Sequence, residues 1–262
     1  MCSPSSPLLL DRYELKFLVK SHLVEEISRM VENYCELDYY SQISPSKYYV
    51  INSLYCDSFN FKLLRAKIVD LGQRFNVRLR SYGQEPKPPF YLEVKNKKES
   101  FIKKTRGKVT EEGLEALRNF EIVTAAEESS QKNVDSFCVA YYTHGLEPKI
   151  FTQYERKAYL SVIDDYARVT FDRHLRYYLE DSLNLIPDEN KLKNYDHEDL
   201  FFGEDGDHIL ELKCPTKVPI WIFDIIKKYD LSRIGFSKYG NSMFESLSLD
   251  HRYQLPRSAF LD

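Results

Sequence analysis

Arg78-Leu79-Arg80, Glu93-Val94-Lys95 and Glu211-Leu212-Lys213 decide how this chain folds. In each, two charged residues flank an aliphatic one. A β-strand sends alternate side chains to opposite faces, so each stretch puts its charges on one face and its aliphatics on the other. The Glu-x-Lys pattern recurs at Glu14-Leu15-Lys16. A single strand of this kind is ordinary, because charges on a half-exposed strand are screened by water. Its recurrence, with both signs of charge, predicts several strands lining one shared surface. Such a surface suits a polyanion together with a divalent cation.

Outward from these stretches, period-two patterns predict further strands at 12–19, 48–55, 149–154, 158–164 and 168–175. The three opening stretches lie in strands at 75–82, 90–97 and 208–213, the first two forming a hairpin. Helical spacing predicts helices at 22–34, 111–119, 130–144 and 219–229, with a short helical piece capped by Asp57. Residues 1–10 read as a flexible Pro/Ser tail, 11–250 as a single domain and 251–262 as a C-terminal tail. The acidic stretch 196–207 reads as an exposed loop, and the chain beyond Gly240 as frayed. The class is α+β and mainly antiparallel, with enough strands to close a β-barrel and helices packed on its outside.

The charge pattern then has a consequence. Aliphatic helices must pack on the apolar strand faces, which turns the charged faces inward if the sheet closes. Charges that deep need partners. Lys16, Arg78, Arg80, Lys95, Lys104, Arg156, Arg168, Lys213 and Lys238 outnumber the acids expected beside them. That surplus calls for an anionic ligand, and phosphate fits: Arg forks its oxygens while Lys acts as a point charge. Carboxylates among these bases make sense as ligands for Mg²⁺ or Mn²⁺, hard ions that bridge phosphates.

Composition narrows the rest. The 262 residues carry a formal net charge of -3, so general attraction to nucleic acid is not expected. Five cysteines, at 2, 35, 56, 138 and 214, lack zinc spacing, and their odd number fits a reducing, cytoplasmic setting. No stretch approaches the roughly 20 apolar residues of a membrane span. His174, beside Asp172 and Arg173, reads as a structural or surface group.

The order RYELKF, FNVRLRSYG, YLEVKNKK, YERKAY, ARVTFDRHLRY, ILELKCP and FSKYG, across roughly residues 11–240, resembles the VTC domain in its stand-alone prokaryotic form. This is the polyphosphate polymerase domain of the vacuolar transporter chaperone complex, one of the triphosphate tunnel metalloenzymes. The resemblance implies an antiparallel tunnel and transfer of the γ-phosphoryl of ATP onto polyphosphate with Mn²⁺ or Mg²⁺. It implies catalytic roles for Lys16, Arg78, Arg80, Lys95 and Lys238, and a phosphate path along Lys104, Arg156, Arg168 and Lys213. It implies Glu211 as metal ligand, with Glu93 and Glu14 as further candidates. Two residues depart from the family pattern. Arg12 stands where the superfamily often has a first Glu, and Gly235 where the eukaryotic polymerase has a second lysine. The same site also suits a triphosphatase, or a non-catalytic module that binds polyphosphate or nucleotide.

Overall fold

The computed structural model describes residues 12–69, 71–98, 101–164, 167–195, 208–215 and 218–249. The expected tails, 1–10 and 251–262, and the expected acidic loop, 196–207, lie outside these.

Strand β1 spans Arg12–Val19, and helix α1 spans Ser21–Val31. The stripe Val24, Ile27 and Val31 is buried at helical spacing. Short β2 (Cys35–Leu37) and α2 (Tyr39–Ile43) follow, α2 being capped by the Asp38 side chain on Ser41 N. Next come β3 (Tyr49–Ser58), α3 (Lys62–Ile68), β4 (Gln73–Tyr82), β5 (Phe90–Lys98) and β6 (Phe101–Val109). Asp57 accepts from the backbone N–H groups of Leu63 and Leu64, both at 2.8 Å, and so satisfies the first turn of α3. Helices α4 (Glu111–Arg118) and α5 (Gln131–Thr143) lead into β7 (Leu146–Ser161) and β8 (Arg168–Leu179). The chain continues through β9 (Lys193–Asn194), β10 (His208–Pro215), α6 (Ile220–Lys228) and α7 (Lys238–Leu249).

All pairings are antiparallel, in the order β1-β10-β8-β7-β3-β4-β5-β6, with β2 also on β7 and β9 on β8. The expected closed barrel is therefore corrected. Among the described residues β1 and β6 end the path and do not pair. The segment before α7 takes the free edge of β1 instead: Ile234 N–H donates to Lys16 O at 2.8 Å, and Phe17 bridges to Arg233. The two expected strands at 149–154 and 158–164 are one, β7.

One face of the sheet is apolar, and two clusters cover it. Helices α1 and α6 pack Ile27, Val31, Trp221 and Ile225 on Phe17, Phe171, Leu210 and Leu212. Helices α4 and α5 pack Leu114, Leu117, Val134 and Phe137 on Leu54, Val77, Leu79, Leu92 and Val94. The approach of α5 depends on Gly107 of β6. A Cβ there would stand 2.6 Å from Val134 Cγ2 and 2.8 Å from Val134 N.

Not all helices lie on that side. Where the sequence reads as frayed, α7 forms and packs Tyr239, Met243 and Leu247 on Tyr55, Ile150 and Tyr177. Tyr55 opposes Arg78 in the β3–β4 register, so α7 sits on the charged side.

Candidate functional site

Alternation along β4 and β5 brings the opposed pair Arg78 and Glu93 together, and β6 adds Arg106 opposite Glu93. The Glu93 side chain is only 1% exposed. Its Oε2 accepts from Arg78 Nε at 2.7 Å, and its Oε1 from Arg106 Nε at 2.5 Å. Lys104 Nζ lies 2.8 Å from Oε1 and Arg80 Nε 4.0 Å from Oε2. Burial alone would raise the Glu93 pKa, but Arg78, Arg80, Lys104 and Arg106 hold it far below the carboxylate range. The same crowd acts on Lys104. Burial and the three arginines outweigh Glu93 and push its ammonium down to about 6. Arg78 Nη1 also donates to the Tyr55 hydroxyl at 3.1 Å. Burial raises the Tyr55 phenol, yet Arg78, Arg80 and Lys238 bring it below its ordinary value.

A second group is built on β7, β8, β10 and α7. Arg156 forks Asp172 through Nε (2.6 Å) and Nη2 (2.8 Å), and Lys238 Nζ meets Asp172 Oδ2 at 2.5 Å. Burial pushes the Asp172 carboxyl up, but these two cations bring it down to about 2. Arg156 Nη2 also stands 4.0 Å from Glu211. Lys213 Nζ lies 2.9 Å from Glu211 Oε1, as an ion pair without hydrogen-bond alignment, since that oxygen is buried with no hydrogen-bond donor.

A third group joins distant parts of the sheet. Lys95 Nζ of β5 reaches Glu14 Oε2 of β1 at 2.7 Å, and Lys16 Nζ lies 3.5 Å from Glu14 Oε1. Lys16 also donates to Phe236 O at 2.9 Å. Burial lowers the Lys16 ammonium, but Glu211 and Glu14 raise it on balance. The Glu211 carboxyl, which burial would raise, falls well below its ordinary value through Lys213, Lys16 and a side-chain hydrogen bond with Glu14.

In these three groups nine cations share four carboxylates: Glu14, Glu93, Asp172 and Glu211. Arg80 Nε, Ser53 Oγ and Thr170 Oγ1 on the same face are buried without a hydrogen-bond partner. A base-rich surface with buried, unsatisfied donors is complementary to a multiply charged oxyanion.

The structure brings together Lys16, Arg78, Arg80, Lys95, Lys104, Arg156, Lys213 and Lys238; alternation accounts for those in the predicted strands, whereas Lys104, Arg156 and Lys238 lie outside them. Arg168 shares their face by register, opposite Lys213, but is exposed at the start of β8. The expected carboxylate trio is not assembled. Among the described residues no three His, Cys, Asp or Glu side chains are placed to hold a metal ion. Glu93 is enclosed by cations, whereas Glu14 and Glu211 touch each other. Two neighbouring carboxylates, one of them buried with its Oε1 in an ion pair with Lys213 that lacks hydrogen-bond alignment, fit a hard divalent ion that takes its remaining ligands from phosphate and water. Sequence reasoning missed Asp172, Arg106 and Tyr55. Asp172 had a signal: it stands two and four residues beyond Thr170 and Arg168, on one strand face. His174 is exposed, its Nδ1 3.5 Å from Glu155.

No helix among the described residues is long and apolar enough to cross a membrane. No curated protein sequence matches the chain at a significant level. Among solved structures, a Bacillus halodurans protein assigned as a candidate adenylate cyclase is similar at 12% identity and a TM-score of 0.47, covering 87% of this chain and 96% of its own. HpAC1 from Hippeastrum, reported with a dominant triphosphatase activity, is similar at 12% identity and a TM-score of 0.44, covering 89% of this chain and 95% of its own. PH1819 from Pyrococcus horikoshii OT3 is similar at 11% identity and a TM-score of 0.40, covering 89% and 96%. Likenesses this loose carry no weight for activity. The sequence comparison is decisive for family: the VTC domain matches residues 11–246, nearly the whole chain, and the protein belongs to the VTC domain family.

Proposed function

We propose that this protein is a metal-dependent polyphosphate polymerase that transfers the γ-phosphoryl of ATP onto the end of a polyphosphate chain. The observation that carries this reading is the surplus of basic groups on one sheet face, nine Lys and Arg side chains around four carboxylates. Phosphoryl transfer is catalysed chiefly by positioning and by neutralising charge, and these groups do both. Lys16, Arg78, Arg80, Lys95 and Lys238 neutralise the triphosphate, while Lys104, Arg156, Arg168 and Lys213 line the path of the chain. A terminal phosphate oxygen of the acceptor attacks the γ-phosphorus, the bond to the β–γ bridging oxygen breaks, and ADP leaves with that oxygen. The attacking oxygen is already anionic, so no Ser-His-Asp arrangement is required. Glu211 and Glu14 would hold Mn²⁺ or Mg²⁺, which when bound adds positive charge beside the phosphates.

In this reading Glu93 and Asp172 are the groups that fix the cations in place. The partners are a nucleoside triphosphate and polyphosphate. The free cysteines Cys35, Cys56, Cys138 and Cys214 suit a reducing cytoplasmic setting. The test is to incubate the protein with ATP and Mn²⁺ and resolve the products by gel electrophoresis. Long phosphate chains with matching ADP are expected. Orthophosphate without chains makes the protein a triphosphatase, and binding without turnover makes it a binding module.

A further inference from the structure

The charged face changes character along its strands. On β4 it carries Arg74, Asn76, Arg78, Arg80 and Tyr82, and on β5 Lys97, Lys95, Glu93 and Tyr91, paired in that order from Arg74–Lys97 to Arg80–Tyr91. Bases continue at one end, and rings replace them at the other. Tyr49 of β3 joins the ringed end, because alternation puts it on the face of Ser53, which opposes Arg80. Tyr82 lies two residues past Arg80, about 7 Å along the strand, a step that a ribose spans between its phosphate and its base.

These rings form a stack. Tyr40 of α2 lies parallel to Tyr82, with 2° between their planes and 5.7 Å between centroids. Tyr91 meets Tyr82 edge-on at 5.4 Å, and Tyr49 lies tilted against both Tyr40 and Tyr82. Asp38 sets the outermost ring in place: it caps α2 through Ser41 N at 2.8 Å and accepts from the Tyr49 hydroxyl at 3.1 Å. The stack is also tied to the bases beside it. Arg106 donates to the Tyr82 hydroxyl at 2.9 Å and lies over the Tyr91 ring at 4.6 Å. Against burial, Arg80 and Arg106 bring the Tyr82 phenol below its ordinary value. Tyr49, Tyr82 and Tyr91 are half-buried, whereas Tyr40 leaves 43% of its surface in water. A ring held parallel on a second ring and open on its outer side is a platform for a further flat ring.

We propose that Tyr40, backed by Tyr82, is the stacking platform for the base of the nucleoside triphosphate, whose phosphates run from Arg80 toward Arg78. A platform of this kind reads the face of the base, so purine nucleotides, with the larger ring, bind more tightly than pyrimidine ones. The inference rests on the reading of Arg78 and Arg80 as the triphosphate site.

The experiment is calorimetric titration of the full chain with ATP, UTP and, separately, tripolyphosphate, at fixed salt and without divalent metal so that nothing is turned over. Wild type is compared with Tyr40→Ala, Tyr40→Phe and Tyr40→Trp. Tyr40→Ala is expected to weaken ATP binding about tenfold, the worth of one base stacked on one ring. Tripolyphosphate binding should stay within about twofold, since no contact to it is removed. UTP should bind wild type less tightly than ATP, and the difference should vanish in Tyr40→Ala. Tyr40→Phe should keep the ATP affinity, because the ring and not the hydroxyl is used. In Tyr40→Trp, ATP should quench the added indole and tripolyphosphate should not, a signal absent from wild type, whose Trp221 is stacked on Tyr34. Equal losses for ATP and tripolyphosphate in Tyr40→Ala, no loss for either, or an unquenched Tyr40→Trp overturn the platform. Wild type that binds ATP but not tripolyphosphate, with Tyr40→Ala losing ATP, overturns the triphosphate reading and leaves the platform standing. Failure of wild type to bind any of the three ligands overturns both.

Discussion

Asp172 and Arg156 face each other across the β7–β8 pair, joined by two hydrogen bonds of 2.6 and 2.8 Å. Lys238, at the start of α7, closes on the same carboxylate. Asp172 is thus the hinge pin between the charged face of the sheet and the helix that packs over it. Its position was visible in the alternation of β8, but its partners were not.

That geometry predicts a pH dependence. The Asp172 carboxyl falls from 3.8 to about 2 in the fold, through Arg156 and Lys238 working against burial. A depressed carboxyl contributes stability that is fully present above the unfolded value and is lost as pH falls through the folded one. The contribution is about 2 kcal/mol, at about 1.4 kcal/mol per pH unit. Denaturant melts of wild type and Asp172→Asn at pH 7, 4 and 2 are the check. Wild type should be the more stable at pH 7 and should lose most of that advantage between pH 4 and pH 2. A difference that stays constant over this range contradicts the assignment.

Glu93 predicts a different outcome from a metal ligand. It is buried among Arg78, Arg80, Lys104 and Arg106, so Glu93→Gln leaves these bases facing one another without their shared carboxylate. The loss should be about 3–5 kcal/mol of folding stability. Tripolyphosphate should raise the melting temperature of the variant more than that of wild type, because the anion replaces the missing charge. A variant as stable as wild type, with an altered metal requirement, would return Glu93 to the metal site.

Arg78→Ala should separate binding from folding. Glu93 keeps Arg106 and Lys104 when Arg78 is removed, so the change in stability should be small. Tripolyphosphate affinity should fall by about 1.5–3 kcal/mol, the worth of a charge-assisted contact. Melting curves with and without the anion decide the matter. A full ligand-induced shift in the variant removes Arg78 from the site.

For Glu211→Gln the readout is a metal titration. The amide keeps the size of the side chain and loses the charge a divalent ion needs. Turnover should collapse at ordinary Mn²⁺ and recover in part at high Mn²⁺, with tripolyphosphate binding preserved. An unchanged titration would mean that Glu211 serves only to pair with Lys213 and Arg156.

Strand alternation was enough to place the charged residues of the predicted strands on one face. β1 was expected at 12–19 and is found at Arg12–Val19, and Arg78, Arg80, Glu93 and Lys95 share the face their parity assigns. Parity says nothing of what lies between the two ends of a sheet. The edge of β1 is taken by Ile234, a residue with no strand signal, and closure failed as an expectation for that reason. Helix α7 was missed because Gly240 and a run of polar residues mask its stripe. Tyr239, Met243 and Leu247, spaced four apart, were the available sign. The break expected inside β7 falls at Glu155-Arg156-Lys157. In the fold Lys157 is buried, donating to Ser28 at 2.9 Å and to Glu25 at 3.2 Å from α1. Which cation pairs with which carboxylate depends on neighbours far apart in sequence, such as Glu14 and Lys95, and no local pattern encodes it.

The most direct test of the central claim follows a single phosphoryl group. The protein is loaded with long-chain polyphosphate and Mn²⁺, given less than one equivalent of ATP labelled at the γ-phosphate, and quenched after one turnover. The account predicts that the label appears in acid-precipitable polyphosphate, with an equal amount of ADP. Label recovered as orthophosphate, with ADP formed and the chain unlabelled, would show water to be the acceptor and would contradict the account.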